Sequence, residues 1–300
     1  AATQRSLEEV VCEFVADIDD TDIRLGLAGG VFANVRLNQK LRELPNVAEV
    51  FVFPNMGDGG LSVGAAWLAH VAKSGTRPQP LKTALLGDAP GDTEIAELLR
   101  TSGYHHARHN DIEQRVARLI ADGHVVARCD GPMEFGPRAL GSRSILYKAT
   151  EPDVNQWLND RLGRSEFMPF APATRIEDAA DCYEGIDGGL GSAQYMTMTF
   201  DCTDLMRRES PAAVHVDGSA RPQIIRREQY PGFHGIITEY KKLTGCRSVI
   251  NTSFNMHEEP IVRTAEDAVR AFSAGRLPYL ALGNFLVENN EDALAASQGD

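Results

Sequence analysis

Two short apolar runs near the start of the sequence, IRLGL at 23–27 and VAEVFVF at 47–53, bracket the turn Ala28-Gly29-Gly30 and a helix-like stretch reaching Leu41. Short runs dense in Val, Ile and Leu read as buried strands, and a strand, helix, strand alternation restricts the fold to the α/β class. Upstream, Ser6 followed by Glu9 forms a capping-box pattern, and Leu7, Val10, Val11, Phe14 and Val15 recur at helical spacing on a face expected to enter the core. Downstream, LSVGAAWLAHVAK (61–73) reads as an alanine-rich helix packed in the core. Composition then changes: KSGTRPQPLKTALLGDAPGD (73–92) is rich in Pro, Gly and polar residues, the pattern of a linker or long crossing loop. This places a domain boundary near residue 88, giving units 1–88 and 89–300.

In the second unit, helices are expected to begin at Asp92 and Asp111 with capping side chains and to close on Gly103 and Gly123. HVVAR (124–128) reads as a strand delivering the chain to MEFGPRALGSRS (133–144), and RSVI (247–250) as one delivering Asn251-Thr252-Ser253. Thr264 caps a helix closing at Gly275, and LPYLALGNFLV (277–287) reads as a single terminal strand.

A formal charge of −12 and a pI near 5.2 argue against a nucleic-acid surface, since binding a phosphate backbone leaves a basic excess. Any anion site must therefore be local. Five cysteines without a C-x-x-C pair read as reduced thiols, which points to the cytoplasm. With no apolar run of membrane-spanning length and no signal-type start, no membrane association is expected.

Three polar clusters follow apolar strands, where sheet proteins hold ligands. The first is Glu134, Arg138, Ser142, Arg143 and Ser144, in a glycine-bearing turn where backbone N–H groups and guanidinium forks suit phosphate or carboxylate. The second is HVDGSARPQ, in which His215 and Asp217 share a face if the segment is extended, with Arg221 beyond a turn. The third is NTSFN, whose amides and hydroxyls bind polar groups without adding charge. Each has a structural alternative: Arg138 and Arg143 pairing with Glu134 and Glu166, a turn cap at Asn251, a buried His215/Asp217 pair. The run His105-His106-Ala107-Arg108-His109 has histidines at chelating spacing, but it follows Gly103 in an expected loop without an accompanying carboxylate or cysteine.

Taken in order, the blocks LAGGVFANVRLN, GDGGLSVGAAW, EFGPRALGSRSI, PFAP, HVDGSARPQ, NTSFN and EEPIV resemble the NodU/CmcH-type O-carbamoyltransferases over nearly the whole chain. The resemblance implies a YrdC-like α/β domain at 89–300, preceded at 1–88 by the second half of a Kae1-like domain of the actin/Hsp70 ATPase type. It also implies formation of carbamoyl adenylate from carbamoyl phosphate and ATP, and transfer of the carbamoyl group to a substrate hydroxyl. By motif match, His215, Asp217, Arg221 and Ser253 would be catalytic. Glu134, Arg138, Ser142, Arg143, Arg164, Asn251, Thr252 and Asn255 would bind carbamoyl phosphate and ATP. Gly29, Gly30 and Asn34 resemble an adenosine-binding turn. Asp58 matches one ligand of an iron-type metal site whose paired histidines belong to the family's first half, so this chain alone is not expected to hold the metal. A half-domain is also expected to leave an apolar face near residues 23–66, favouring a homodimer.

The chain departs from the family pattern just before PFAP. Where the family reads lysine, any residue, arginine, glutamate, any residue, Phe, arginine, Pro, Phe, this sequence has Leu162-Gly163-Arg164-Ser165-Glu166-Phe167-Met168-Pro169-Phe170, and Pro132 replaces an arginine before Met133. Leu162 and Met168 remove two cations, with Arg161 adjacent as a partial substitute. Weakened carbamoyl phosphate binding is expected; the alternatives are a different acyl donor or a non-catalytic nucleotide- or anion-binding module.

Overall fold

The computed structural model describes residues 2–77, 79, 81–152, 159 and 170–289. The elements run α1 (Ala2–Ala16), β1 (Ile23–Leu27), α2 (Val35–Arg42), β2 (Val47–Val52), α3 (Leu61–Ser74), α4 (Asp92–Ser102), β3 (His105–Arg108), α5 (Ile112–Ala121), β4 (Val126–Cys129), β5 (Arg143–Lys148) and β6 (Ala171–Arg175). After two helical turns come β7 (Phe200–Asp201), α6 (Asp204–Glu209), β8 (Ser219–Ala220), β9 (Gln223–Ile225), α7 (Pro231–Thr244), β10 (Ser248–Ser253), α8 (Ala265–Ala274), β11 (Tyr279–Leu282) and β12 (Phe285–Glu288). The α/β class expected from the alternation is the class observed.

The larger sheet is eight-stranded among the described residues, in the order β3-β12-β11-β4-β5-β10-β6-β9. It is mixed: β11 runs parallel to β4 and β6 to β9, while the other pairings are antiparallel. Alternation of side chains builds a core on each face. Ala127, Cys129, Ile145 and Tyr147 join the core formed with α4 and α8, and Val126 and Leu146 join the core beneath α5 and α7. The strands are therefore apolar on both faces, covered by helices on each.

In the first segment β1 and β2 form a parallel pair, Leu25 opposite Val50 and Leu27 opposite Val52. Leu37 and Leu41 of α2 and Val50 and Val52 of β2 are fully buried. Each such side chain contributes about 1.5–3 kcal/mol. They belong to the same core as Ile95, Leu99 and Phe272, so apolar packing is continuous across residue 88. The expected linker is itself tied down. Leu86 and Gly87 donate to the Met133 carbonyl at 3.2 and 3.0 Å, Phe135 donates to Ala84 at 2.6 Å, and Met133, following Pro132, donates to Asp88 at 3.0 Å.

Several local expectations are corrected. Helix α1 starts at Ala2, which puts Ser6 in its interior, and Val10 and Phe14 are 65% and 74% exposed instead of entering the core. Helix α3 forms as expected but buries no residue; Leu61 and Leu68 are 69% and 75% exposed, because no described element covers it. The cap of α4 is Gly91, whose N–H donates to Glu94 Oε2 at 3.3 Å, and Asp111 bonds Arg115 Nε at 3.0 Å instead of capping α5. Residues 277–287 make two strands, turned at Gly283-Asn284 with Gly283 at φ 54°; Gly-Asn between apolar runs was a hairpin signal. The histidine run is strand β3, paired with β12, rather than a loop. No described helix is long and apolar enough to cross a membrane, and all five cysteines are free.

Candidate functional site

Between β4 and β5 the chain makes the turn quoted above, and its inner anion is a protein carboxylate. Glu134 is buried, and its Oε1 accepts from the backbone N–H groups of Leu140, Ser142 and Arg143 at 2.8, 2.7 and 3.0 Å. The Gly141 N–H goes to Ser144 Oγ at 3.0 Å. Gly141 sits at φ 111°, and a Cβ there would lie 2.3 Å from the Phe233 ring, so only glycine fits. The backbone donors expected to cradle an external anion are therefore already taken by Glu134 Oε1, which organises the loop, while Oε2 is buried with no partner.

Arg143 is corrected in the same way. It is fully buried, and all five of its N–H donors meet backbone carbonyls: Arg263 from Nε and Nη2 at 3.1 Å each, Gly131 and Ser142 from Nη1 at 3.0 and 3.2 Å, and Asp88 from Nη2 at 3.1 Å. A guanidinium with no spare donor cannot bind phosphate without dismantling the loop. Ser142 is buried behind it.

Arg138 and Arg221 are the opposite case. Arg138 Nε and Arg221 Nη1 are sealed from solvent with no hydrogen-bond partner, and no described carboxylate pairs with either side chain. Burial, reinforced by the Arg138 charge, pulls the Arg221 pKa down to about 9, and burial also lowers that of Arg138. Two half-buried cations close enough to repel, with no described carboxylate beside them, leave a place where a ligand anion would supply the missing charge.

Asn251 lies beside them within β10, opposite Leu146 of β5 and Ala171 of β6, so NTS belongs to the strand rather than following it. Its Nδ2 donates to the Ala139 carbonyl at 3.1 Å and to Gln223 Oε1 at 2.7 Å. Its Oδ1 is buried without a partner. Gln223, absent from the sequence-based site, donates from Nε2 to the Leu140 carbonyl at 2.7 Å. Its position two residues after Arg221 was the available signal. Thr252 and Ser253 continue the strand opposite Ile145 and Ser144. Asn255 folds its own turn, its Nδ2 holding the carbonyls of Met256 and Glu259 at 2.8 and 3.1 Å.

His215 and Asp217 lie in a tight turn, not an extended segment: Gly218 N–H donates to the His215 carbonyl at 2.9 Å and His215 N–H to Ser219 at 2.7 Å. Both side chains meet Ser219, which lies 3.1 Å from His215 Nδ1 and donates from Oγ to Asp217 Oδ1 at 2.7 Å. Burial lowers the His215 pKa, partly offset by Asp217 and reinforced by the Arg221 charge. For Asp217, burial pushes the pKa up, but the Ser219 bonds and Arg36 outweigh it and the net direction is down. Arg36 Nη1, on α2, stands 4.0 Å from Asp217 Oδ2, which links the turn to the first segment.

The remaining predicted residues lie elsewhere. Gly29, at φ 120°, and Asp58 line a largely apolar cavity of about 780 Å³ between β1, β2 and α3. A Cβ on Gly29 or Gly30 would meet nothing within 4 Å. Asn34 caps α2, accepting from Leu37 N–H at 3.1 Å, and its Nδ2 bonds Gln4 at 2.7 Å, which commits the side chain locally. No three His, Cys, Asp or Glu side chains among the described residues are grouped to hold a metal, at Asp58 or elsewhere. Arg164, together with Arg161, Leu162, Ser165, Glu166 and Met168, lies outside the described residues.

A nodulation protein NolO of Bradyrhizobium diazoefficiens is 34% identical over 278 residues, 90% of this chain and 50% of its own length. An uncharacterized protein of Methanocaldococcus jannaschii is 32% identical over 298 residues, 96% of this chain and 48% of its own. The chain thus spans about half the length of the curated relatives it matches. The crystal structure of full-length HypF in the phosphate- and nucleotide-bound form matches at a TM-score of 0.37 and 14% identity, covering 62% of this chain and 22% of HypF. Residues 1–67 match the family described as Carbamoyltransferase N-terminus. Residues 117–289, which carry Arg138, Arg221, Gln223 and Asn251, match Carbamoyltransferase C-terminus, and the chain belongs to the carbamoyltransferase family.

Proposed function

We propose that this chain handles the donor in an O-carbamoyltransferase, binding carbamoyl phosphate and ATP and forming carbamoyl adenylate for transfer to a hydroxyl acceptor. The observation that carries this reading is the pair Arg138 and Arg221, half-buried with one sealed, unpartnered nitrogen each, mutually repelling and without a described carboxylate partner. A phosphate or carbamate between them supplies the missing negative charge, and arginines do so without becoming competing nucleophiles.

On this reading water first cleaves carbamoyl phosphate to carbamate and phosphate; a carbamate oxygen attacks the α-phosphorus of ATP and pyrophosphate leaves; the acceptor oxygen, giving up its proton, then attacks the carbamoyl carbon and AMP leaves. Arg138 and Arg221 balance the charge on the phosphoryl and carbamoyl oxygens. His215, held toward its neutral form by burial, is the candidate to take the acceptor proton, with Asp217 and Ser219 fixing its turn. The unit around the eight-stranded sheet is assigned to the YrdC-like part and residues 1–88 to part of the Kae1-like one, with residues Gly29 and Gly30 at a nucleotide-facing turn.

The test is calorimetric titration of carbamoyl phosphate, ATP and inorganic phosphate, followed by an assay of pyrophosphate release with both substrates present. Binding of phosphate species that Arg221→Met abolishes is the expected outcome. No binding of any phosphate species overturns the donor assignment, and binding without pyrophosphate release favours an anion-binding module over an enzyme.

A further inference from the structure

The amides of Gln223 and Asn251 form a chain whose orientation is set from one end. The Leu140 carbonyl can only accept, so the Gln223 atom 2.7 Å from it must be Nε2 and its other atom must be Oε1. The Ala139 carbonyl, the longer contact, favours the same orientation of Asn251 and Gln223 Oε1 fixes it, since Nδ2 faces both, at 3.1 and 2.7 Å. Asn251 therefore has no freedom to exchange its oxygen and nitrogen. Its Oδ1 is left as a buried acceptor, on a side chain 1% exposed, with no partner.

This acceptor adjoins a cationic pair. Asn251 is bonded to the carbonyl of the residue after Arg138 and to the side chain of the residue two after Arg221. Arginine donors satisfy phosphate, carboxylate and acyl oxygens alike, so they cannot tell a carbamoyl group from an acetyl group. A buried acceptor can: an amide N–H completes it, whereas a methyl group leaves it desolvated and unpaired.

Resting on the carbamoyl-donor reading above, we infer that Asn251 Oδ1 receives the donor's NH₂ group and that Gln223 is a positioning residue that keeps this oxygen, not the amide nitrogen, turned to the donor. The pair selects a carbamoyl donor over an acyl donor of the same shape. Without Gln223 the Asn251 amide loses one of its two anchors, and its rotated form presents N–H to N–H.

Carbamoyl phosphate and acetyl phosphate differ only by NH₂ against CH₃, which makes them the probes, with inorganic phosphate as the reference for the arginine pair. In the whole chain, calorimetry is expected to find carbamoyl phosphate bound about tenfold or more tightly than acetyl phosphate. In Gln223→Met, which keeps the volume and removes both hydrogen bonds, that ratio is expected to fall toward one while phosphate affinity stays within about threefold of the original. A structural role alone would weaken all three ligands together and leave the ratio unchanged, which overturns the positioning role. Equal wild-type affinities for the two acyl phosphates overturn the selection by Asn251 even if Gln223→Met fails to fold. If inorganic phosphate also fails to bind, the anion site itself has failed, and the inference with it.

Discussion

Replacing Arg221 by methionine should make the ligand-free protein more stable. In the fold, burial and the neighbouring Arg138 charge bring the Arg221 pKa well below the ordinary guanidinium range, to about 9. At about 1.4 kcal/mol per pH unit this sets the folded state against the cation by about 5 kcal/mol as an upper bound. Nη1 is sealed, but the residue as a whole is only half-buried, so the realised gain should be smaller. Replacing buried charge with a packed apolar side chain of similar size typically returns about 1–4 kcal/mol, and the lower half of that range is expected here. Urea unfolding at neutral pH, in buffer free of phosphate and sulfate, should give a higher midpoint with an unchanged slope. Phosphate should then reverse the order: at a hundred times its Kd it adds about 2.7 kcal/mol to a protein that binds it and nothing to the variant. The sign with pH also follows. Below about 9 both folded and unfolded chains carry the charge and the penalty is constant; because the folded-state value is the depressed one, wild-type stability rises, and does not fall, as the pH climbs through it. A ligand-free variant less stable than wild type by more than about 1 kcal/mol would refute the reasoning, because it would mean that Arg221 serves the fold and awaits no ligand.

Other outcomes are expected from the same geometry. Glu134→Ala strands three buried N–H groups and should cost about 3–5 kcal/mol in urea unfolding; a loss under about 1 kcal/mol would contradict the loop-organising role. Because burial lowers the His215 pKa below 6.5, stability should be full above that pH and decline as the pH falls through it, and His215→Gln should flatten this part of the curve; parallel curves for the two proteins would show that His215 is not held neutral. If Leu162 and Met168 stand at lost phosphate contacts, Leu162→Lys/Met168→Arg should tighten carbamoyl phosphate binding by about two to four orders of magnitude, and micromolar wild-type binding with no gain would dismiss the substitutions. The uncovered face of α3 should promote self-association; light scattering should show less of it in Leu68→Asp, and a strictly monomeric wild type would count against that role.

The features legible in the sequence were those with local causes. Apolar runs of strand length marked β4 and β10 because burial on both sheet faces demands them, they marked β1 and β2 although these are buried only in part, and Gly103 marked the end of α4 because its left-handed conformation disfavours a Cβ. Arg138, Arg221 and Asn251 stand out in the sequence because each belongs to a polar cluster that follows an apolar run, a pattern of residue types. Tertiary structure alone decided which polar side chains turn inward. Arg143 finds its carbonyls at Asp88 and Arg263, 55 and 120 residues away, and Glu134 collects N–H groups only because Gly141 lets the loop close against Phe233. The spacing that suggested an anion cradle was equally that of a carboxylate folding its own loop, and which one prevailed depended on what packed around it. The burial of α3 was likewise beyond sequence: its apolar composition states what the helix can bury, and only the surrounding elements decide whether anything is there to bury it.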